Sequence, residues 1–426
     1  MKYYIPCILG LFCYVSVTSQ SRIIYDLDAY LRVDGVYRTT FIIPNADLGY
    51  SNIINDPSKE RDIQFVGGLL YNDNRIINNP RNQKVIEKSI DFDFTNGQAN
   101  AIAFKYDYEN TNRYYGEDKK YFKSRFYVST DSRYQENQGV NKTYLQTAAL
   151  QYGLGFGFGR IEVVNDAWLG ARILEELRMK NLLLVMPSSD EMKTFFDVVG
   201  DLSFERVMDN RLRSIYQIET LIKYIEEQGW IEKGSIPAFA TIYDAFRFED
   251  FLFRQSGERL EFTLTPRVDS WLNYRFNEDD VNFYSFQPGF SGRTEYEVNR
   301  NGDLEYYTSM VLGGTFNYTE QINNNDFDDE NFLNGSVYFR YSYYYLPSRR
   351  TNLIITGNVS AGFAHSSSYN AVLNMFSRLE YNYYFSPATQ LVMQAALTYN
   401  DPQFQIGDYQ PSIKANFSMN VVHAIR

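Results

Sequence analysis

His365 and His423 are the chain's two histidines among 426 residues, so imidazole chemistry has few places to happen. His365 stands in AHSSSYN with Ser367 two positions further on. In that pairing an imidazole can take the proton of a hydroxyl nucleophile, provided a third group orients the ring. No third member is identifiable, and His365 reads as a solvated turn histidine. His423 falls on an apolar strand face near the end of the last strand. Carboxylates cluster at Glu278, Asp279 and Asp280, and again at Asp326, Asp328, Asp329 and Glu330. Oxygen-rich loops can hold Ca²⁺, but neither cluster follows the EF-hand pattern, and both read as solvated loops. The glycines at 153, 155, 157 and 159 stand between a strand and a helix, as in a phosphate-binding loop. Phe158 and Arg160 break that motif, and no Lys-Ser/Thr pair follows. No catalytic residue, bound metal or cofactor is expected, and the chain is not read as an enzyme.

Composition narrows the class. A net charge of −11 excludes a nucleic-acid binder working through counterion release. Aromatics make up 17%, with 37 Tyr and 32 Phe. Yet mean hydropathy is only −0.40, and past the N-terminus no apolar run approaches the roughly 20 residues of a membrane helix. Abundant aromatics with a polar average are the composition of a transmembrane β-barrel, in which lipid-facing and lumen-facing residues alternate. The N-terminal MKYYIPCILGLFCYVSVTSQ has Lys2, an apolar stretch from Ile5 to Val17, and small residues at Thr18 and Ser19. This predicts a signal peptide over residues 1–19, cut before Gln20. Cys7 and Cys13 both lie within it, so disulfides and thiolate chemistry are excluded from the mature chain.

The residues after 256 carry the clearest pattern. In ERLEFTLTPRVDSWLNYRF, Leu260, Phe262, Leu264, Val268, Leu272 and Tyr274 share one face. Arg259, Glu261, Thr263, Arg267, Asp269 and Asn273 share the other, which is period two sustained beyond an ordinary soluble strand. Eight such strands are predicted at about 258–274, 282–299, 303–320, 332–346, 350–364, 370–386, 388–400 and 409–425. Six more are predicted at 23–33, 62–72, 85–95, 98–109, 120–134 and 143–158. That makes about 14 antiparallel strands of an all-β transmembrane barrel, in two blocks at 20–159 and 256–426. In the second block short turns alternate with longer polar loops, as in outer-membrane barrels. In the first, TNGQ at 95–98 is short where a long loop belongs, and NTNRYYGEDKKY is long where a turn belongs.

Between the blocks, residues 160–255 lose the strand period. Trp168, Ala171, Leu174 and Leu177 fit one helix face. Ser188 and Glu191 have capping-box spacing ahead of Met192, Phe195, Phe196 and Val199. Leu212, Ile215, Ile218, Leu221, Ile222 and Ile225 form a third amphipathic run, ended by Gly229 as C-cap. The expectation is an inserted α-helical subdomain of three helices. Counting strands back from a periplasmic C-terminus places it in the periplasm, where it plugs the barrel or docks a periplasmic protein partner.

The predicted lumen face carries both charges: Arg259, Glu261, Arg267, Asp269, Arg293, Glu295, Glu297, Arg340, Arg378 and Glu380. These residues either line a water-filled path or pair with one another. The mature chain resembles outer-membrane β-barrel proteins. Its Tyr/Asn-rich style, with a cut before Gln20, resembles Bacteroidota envelope proteins. GRIEVVNDAW and ARILEELR resemble the helical periplasmic insert of poorly characterised barrels of that group. His365 with Ser367 resembles the His-x-Ser of outer-membrane phospholipases. The resemblance implies a bacterial outer-membrane location, outer-membrane lipid as surroundings, and a role as a pore or envelope-transport component. A non-conducting scaffold that recruits a periplasmic partner is the alternative, and an outer-membrane hydrolase a more distant one.

Overall fold

The computed structural model describes residues 25, 27, 30, 35–51, 62–96, 99–137, 141–204, 211–247, 254–275, 283–323, 330–348, 350–365, 369–386, 389–401 and 412–423. The predicted signal segment with both cysteines, the acidic cluster at 278–280, residues 326–329 of the second cluster, and Ser367 lie outside the described residues.

Among the described residues, fourteen strands form one sheet in strict chain order, each antiparallel to the next. They are β1 (Gly35–Ser51), β2 (Asp62–Asn79), β3 (Asn82–Asn96), β4 (Ala99–Tyr115), β5 (Lys120–Asn137), β6 (Asn141–Val163) and β7 (Gln255–Arg275). They continue as β8 (Phe283–Asn301), β9 (Tyr306–Asn323), β10 (Glu330–Ser348), β11 (Thr351–His365), β12 (Tyr369–Ser386), β13 (Thr389–Asp401) and β14 (Ser412–His423). Among the described residues no pairing joins β1 to β14.

Among the described residues four helices stand between β6 and β7: α1 (Asn165–Met179), α2 (Ser189–Phe204), α3 (Arg211–Glu227) and α4 (Ile236–Arg247). At the end of the sheet that bears them, only two to four residues of chain separate β2 from β3, β4 from β5, β8 from β9, β10 from β11 and β12 from β13.

Three sequence expectations change. The first strand was expected at 23–33, but Tyr25 and Leu27 form a turn closed by a 2.9 Å Leu27 N–H to Tyr25 carbonyl bond, and β1 begins at Gly35. The alternation of Tyr25, Leu27 and Leu31 has the period of a strand, whereas Tyr25, Leu27 and Tyr30 are buried among the helices. The long loop expected at NTNRYYGEDKKY is mostly strand. β4 runs to Tyr115 and leaves only residues 116–119 as the turn. The fourth helix, α4, was missed. Its signals are Ser235 and Pro237 at the helix start, with Ala238, Ile242 and Ala245 buried at helical spacing.

The sheet is inverted relative to a soluble one. Along β7, Glu261 is 7% exposed while neighbouring Leu264 is 54% exposed. On β6, Gly153 and Gly157 are buried while Leu154, Phe156 and Phe158 stand outward. The same outward exposure holds for Phe104 on β4, Phe316 on β9, Phe339 on β10 and Leu397 on β13. The only sizeable apolar core among the described residues is in the helical unit. There Leu174, Leu177, Phe195, Ile218 and Trp230 pack together, with the Phe195 and Trp230 rings edge to face at 5.6 Å.

Candidate functional site on the inner face and its helical cover

The polar face closes on itself around Glu261. Its carboxylate accepts from Arg113 Nε at 2.9 Å and from the Tyr121 hydroxyl at 3.0 Å. Lys123 Nζ also donates to it, and reaches Thr263 Oγ1 at 3.3 Å. Arg259 lies 3.9 Å away and bonds Glu297 at 2.8 Å. Arg113 is on β4 and Glu261 on β7, three strand steps apart, or about 14 Å in a flat sheet. Their contact requires the sheet to curl with the polar residues inside.

The glycine stripe of β6 makes the crossing possible. Gly157 pairs with Tyr121 of β5, and a Cβ on Gly157 would collide with the Tyr121 ring. Gly155 pairs with Lys123, and a Cβ there would lie 3.1 Å from Thr263 Oγ1 as well as against the Phe262 carbonyl. Bare backbone on β6 thus lets side chains from β4 and β5 reach β7.

Of the ten charged residues named from the sequence, nine take part in ion pairs on the polar face of the sheet. Besides Arg259 with Glu261 and Glu297, Arg267 pairs with Asp269 at 2.9 Å, Arg293 with Glu295, and Arg378 with Glu380. Residues two apart on a strand share a face, which is why each of the last three pairs lies within one strand. The Tyr338 hydroxyl adds a 2.6 Å bond to Glu295, and Asn382 and Gln394 donate to Glu380 at 2.8 and 3.2 Å. Arg340 is exposed and makes no ion pair among the described residues. Sequence reasoning missed the N-terminal contributors Arg113, Tyr121, Lys123 and Arg125, the last of which forks onto Glu109 at 2.7 and 2.6 Å. For the three on β5 the signal was present, because Tyr121, Lys123 and Arg125 alternate with Phe122 and Phe126.

β6 and β7 are the longest strands among the described residues, at 23 and 21 residues, and beyond the last β5–β6 pair (Lys120 with Phe158) and the last β7–β8 pair (Gly257 with Asn299) they continue as a short two-stranded ribbon. Gly159 (φ +85) and Gly257 (φ +107) lie in the left-handed region there, and a Cβ on either would strike a carbonyl of the facing strand. Beyond them the ribbon reaches the β2–β3 turn. Gln83 Nε2 donates to the Ile161 carbonyl at 2.8 Å, Asn78 donates to Glu162, and Arg160 donates to the Asn79 and Pro80 carbonyls at 2.8 and 3.0 Å.

α1 then runs against two further turns. Trp168 Nε1 donates to the Leu304 carbonyl at 2.9 Å, in the β8–β9 turn. Arg254 donates to the Asp303 and Leu304 carbonyls at 3.1 and 2.8 Å and stacks on the Trp168 ring at 5.0 Å. Burial, and then the Arg172 guanidinium, push Arg254 down to about 9, which leaves it charged at neutral pH. Arg172 reaches the Leu346 carbonyl, at the end of β10, at 3.5 Å. The cover is therefore fastened at β2–β3, β8–β9 and β10–β11 as well as through its own strands.

Within the cover the expected capping box is present. The Ser188 N–H donates to Glu191 at 2.7 Å, and the Glu191 N–H approaches Ser188 Oγ at 3.4 Å. Gly229, expected as a C-cap, has φ +71 two residues past α3. His365 ends β11 opposite Leu333 and Tyr369. Among the described residues no group of His, Cys, Asp and Glu is arranged to hold a metal.

No family model and no curated protein matches the chain. Among solved structures, the translocator domain of the autotransporter NalP from Neisseria meningitidis is similar at 9% identity and a TM-score of 0.35, covering 84% of this chain and 91% of that one. The beta domain of the Bordetella autotransporter BrkA is similar at 7% identity and a TM-score of 0.28, covering 92% and 100%. A loop L8 deletion mutant of OmpT, an outer membrane protein of Vibrio cholerae, is similar at 8% identity and a TM-score of 0.27, covering 92% and 99%.

Proposed function

We propose that the chain spans the bacterial outer membrane as a β-barrel, closed by pairing of β14 with β1, and serves as a pore for polar solutes whose periplasmic mouth is covered by the helical unit. One observation carries the reading: buried ion pairs occupy one face of the sheet while Phe156, Leu264 and their counterparts stand exposed on the other. Water penalises an apolar surface of that extent, and lipid accommodates it. Lipid also penalises unpaired strand edges, at several kcal/mol for each unsatisfied group, which is the reason to join β14 to β1. Short turns at the end that bears the helices match the periplasmic side of such barrels. Ion pairs neutralise Arg259, Arg267, Arg293 and Arg378 on the polar face, and Arg340 stands exposed. No catalytic role is assigned to His365.

Conductance in planar bilayers tests the reading, with the whole chain compared with a chain in which residues 165–253 are replaced by a short Gly/Ser linker. The whole chain is expected to be mostly closed and the shortened one open. Equal conductance from both would sink the covered-pore reading and favour a scaffold. The scaffold alternative has its own observation, since Met179, Leu184, Val185 and Ile236 are exposed on the cover.

A further inference from the structure

The attachments of the cover to the three turns are mainly polar, although Leu304 of the β8–β9 turn also joins its core. A fourth attachment is largely apolar and comes from beside β1, the edge strand of the sheet. Leu27 is 1% exposed, and with Tyr25 and Tyr30 it completes the core formed by Ala167, Leu174, Phe195 and Phe196. The Tyr30 ring stands edge-on to Phe196 at 5.5 Å and 86°. Its hydroxyl donates to Asp197 Oδ1 at 2.7 Å. Tyr25 lies beside Glu175 and Arg178 of α1, and burial followed by the Glu175 charge raises its hydroxyl, which stays protonated.

Tyr30 is five residues from Gly35, the first residue of β1. That length of chain reaches at most roughly 18 Å. While Tyr30 is seated, the α1–α2 seam therefore cannot leave the rim at β1. The cover's other covalent tie is the ribbon turned at Gly159 and Gly257, five strands further round the sheet. A tie at β6–β7 with a clasp at β1 is the arrangement of a lid fastened opposite its hinge.

We propose that Tyr25, Leu27 and Tyr30 act as a strap that holds the cover shut, an inhibitory contact within the chain; this rests on the covered-pore reading. Unseating the strap removes one of the cover's fastenings, so the cover, still bonded at the three turns, lifts more often about the β6–β7 strands without unfolding the sheet.

The test compares four proteins in planar bilayers: the whole chain, Leu27→Ala with Tyr30→Ala, Tyr30→Phe, and the chain lacking 165–253. The double variant is expected to open on the order of tenfold more often, which corresponds to about 1.4 kcal/mol in the opening equilibrium. Tyr30→Phe, which keeps the ring and loses only the bond to Asp197, is expected to open less often than the double variant. Should the double variant fail to assemble, a specific protease site placed in residues 31–34 and cut after insertion releases the strap from β1 in an already folded barrel. Conductance should then rise after the cut. If the shortened chain is open but neither the double variant nor the cut raises opening, the strap is overturned and the covered pore stands. If the shortened chain is no more open than the whole chain, the covered pore fails and the strap fails with it.

Discussion

Arg113 and Glu261 meet at 2.9 Å from strands three apart, across a stripe of β6 that has no side chains. Both are buried, and Glu261 is the shared anion of Arg113, Lys123 and Arg259. A buried pair of this kind adds little over an apolar substitute, but removing one partner leaves the others uncompensated.

Glu261→Gln should therefore lower stability by about 3–5 kcal/mol. Arg113→Met added to Glu261→Gln should recover part of that loss. Urea midpoints of the folded, heat-modifiable form in liposomes measure both, and an unshifted midpoint for Glu261→Gln would remove the cluster as a structural centre.

Gly157→Ala places a methyl group against the Tyr121 ring and the Leu260 carbonyl. Overpacking of this kind costs about 1–3 kcal/mol. Tyr121→Ala in the same chain should recover part of it, because the ring is the movable partner while the carbonyl is not. The same midpoints check the prediction.

Much of the sheet was legible because its period survives in single strands: Leu260, Phe262 and Leu264 against Glu261 and Thr263 need no tertiary information. Local capping at Ser188, Glu191 and Gly229 was legible for the same reason. Tyr25 to Tyr30 was not. Its alternation suits a strand, and only the helices it packs against, more than 130 residues away, decide otherwise. Arg113 was missed because β4 outlasts its apolar alternation. Asn110, Asn112 and Tyr114 occupy outward positions there, where a strand end is hard to distinguish from a loop.

Arg254→Met should loosen the cover at the β8–β9 turn, since the Asp303 carbonyl loses its bond and Trp168 loses its stacked cation. A charge-assisted bond is worth about 1.5–3 kcal/mol. Amide protection along α1 should fall by roughly 10- to 100-fold in the whole chain, with β9 to β13 unaffected. Protection unchanged in α1 would show that the guanidinium does not fasten the cover.

The bonds from Ser188 hold the Glu191 carboxyl below its ordinary value. A depressed carboxyl contributes stability above its unfolded pKa and loses it as pH falls through the folded one. Glu191→Gln should therefore reduce protection of the first turn of α2 at neutral pH. The difference from the unaltered chain should vanish once the pH falls below the depressed value of the folded carboxyl. A difference that persists in acid would mean the side chain acts through packing.

His365→Ala should leave any lipase activity of the purified barrel unchanged. A large loss, measured on phospholipid vesicles, would restore the hydrolase reading and direct attention to Ser367.

The core of the helical cover has a donor outside its own stretch of chain. Cut out at Val164 and Arg254, the four helices would carry an open slot where Leu27 and Tyr30 belong. The cover is thus not a cassette: moved into another barrel without residues 25–30, it would arrive with its interior unsealed. During synthesis the strap emerges long before α1, so the cover reaches its final packing only when the earliest and the middle parts of the chain have come together. An insertion that lengthens residues 31–34 should be tolerated by this assembly. Moving those residues to the far end of the chain changes which partner must wait for the other.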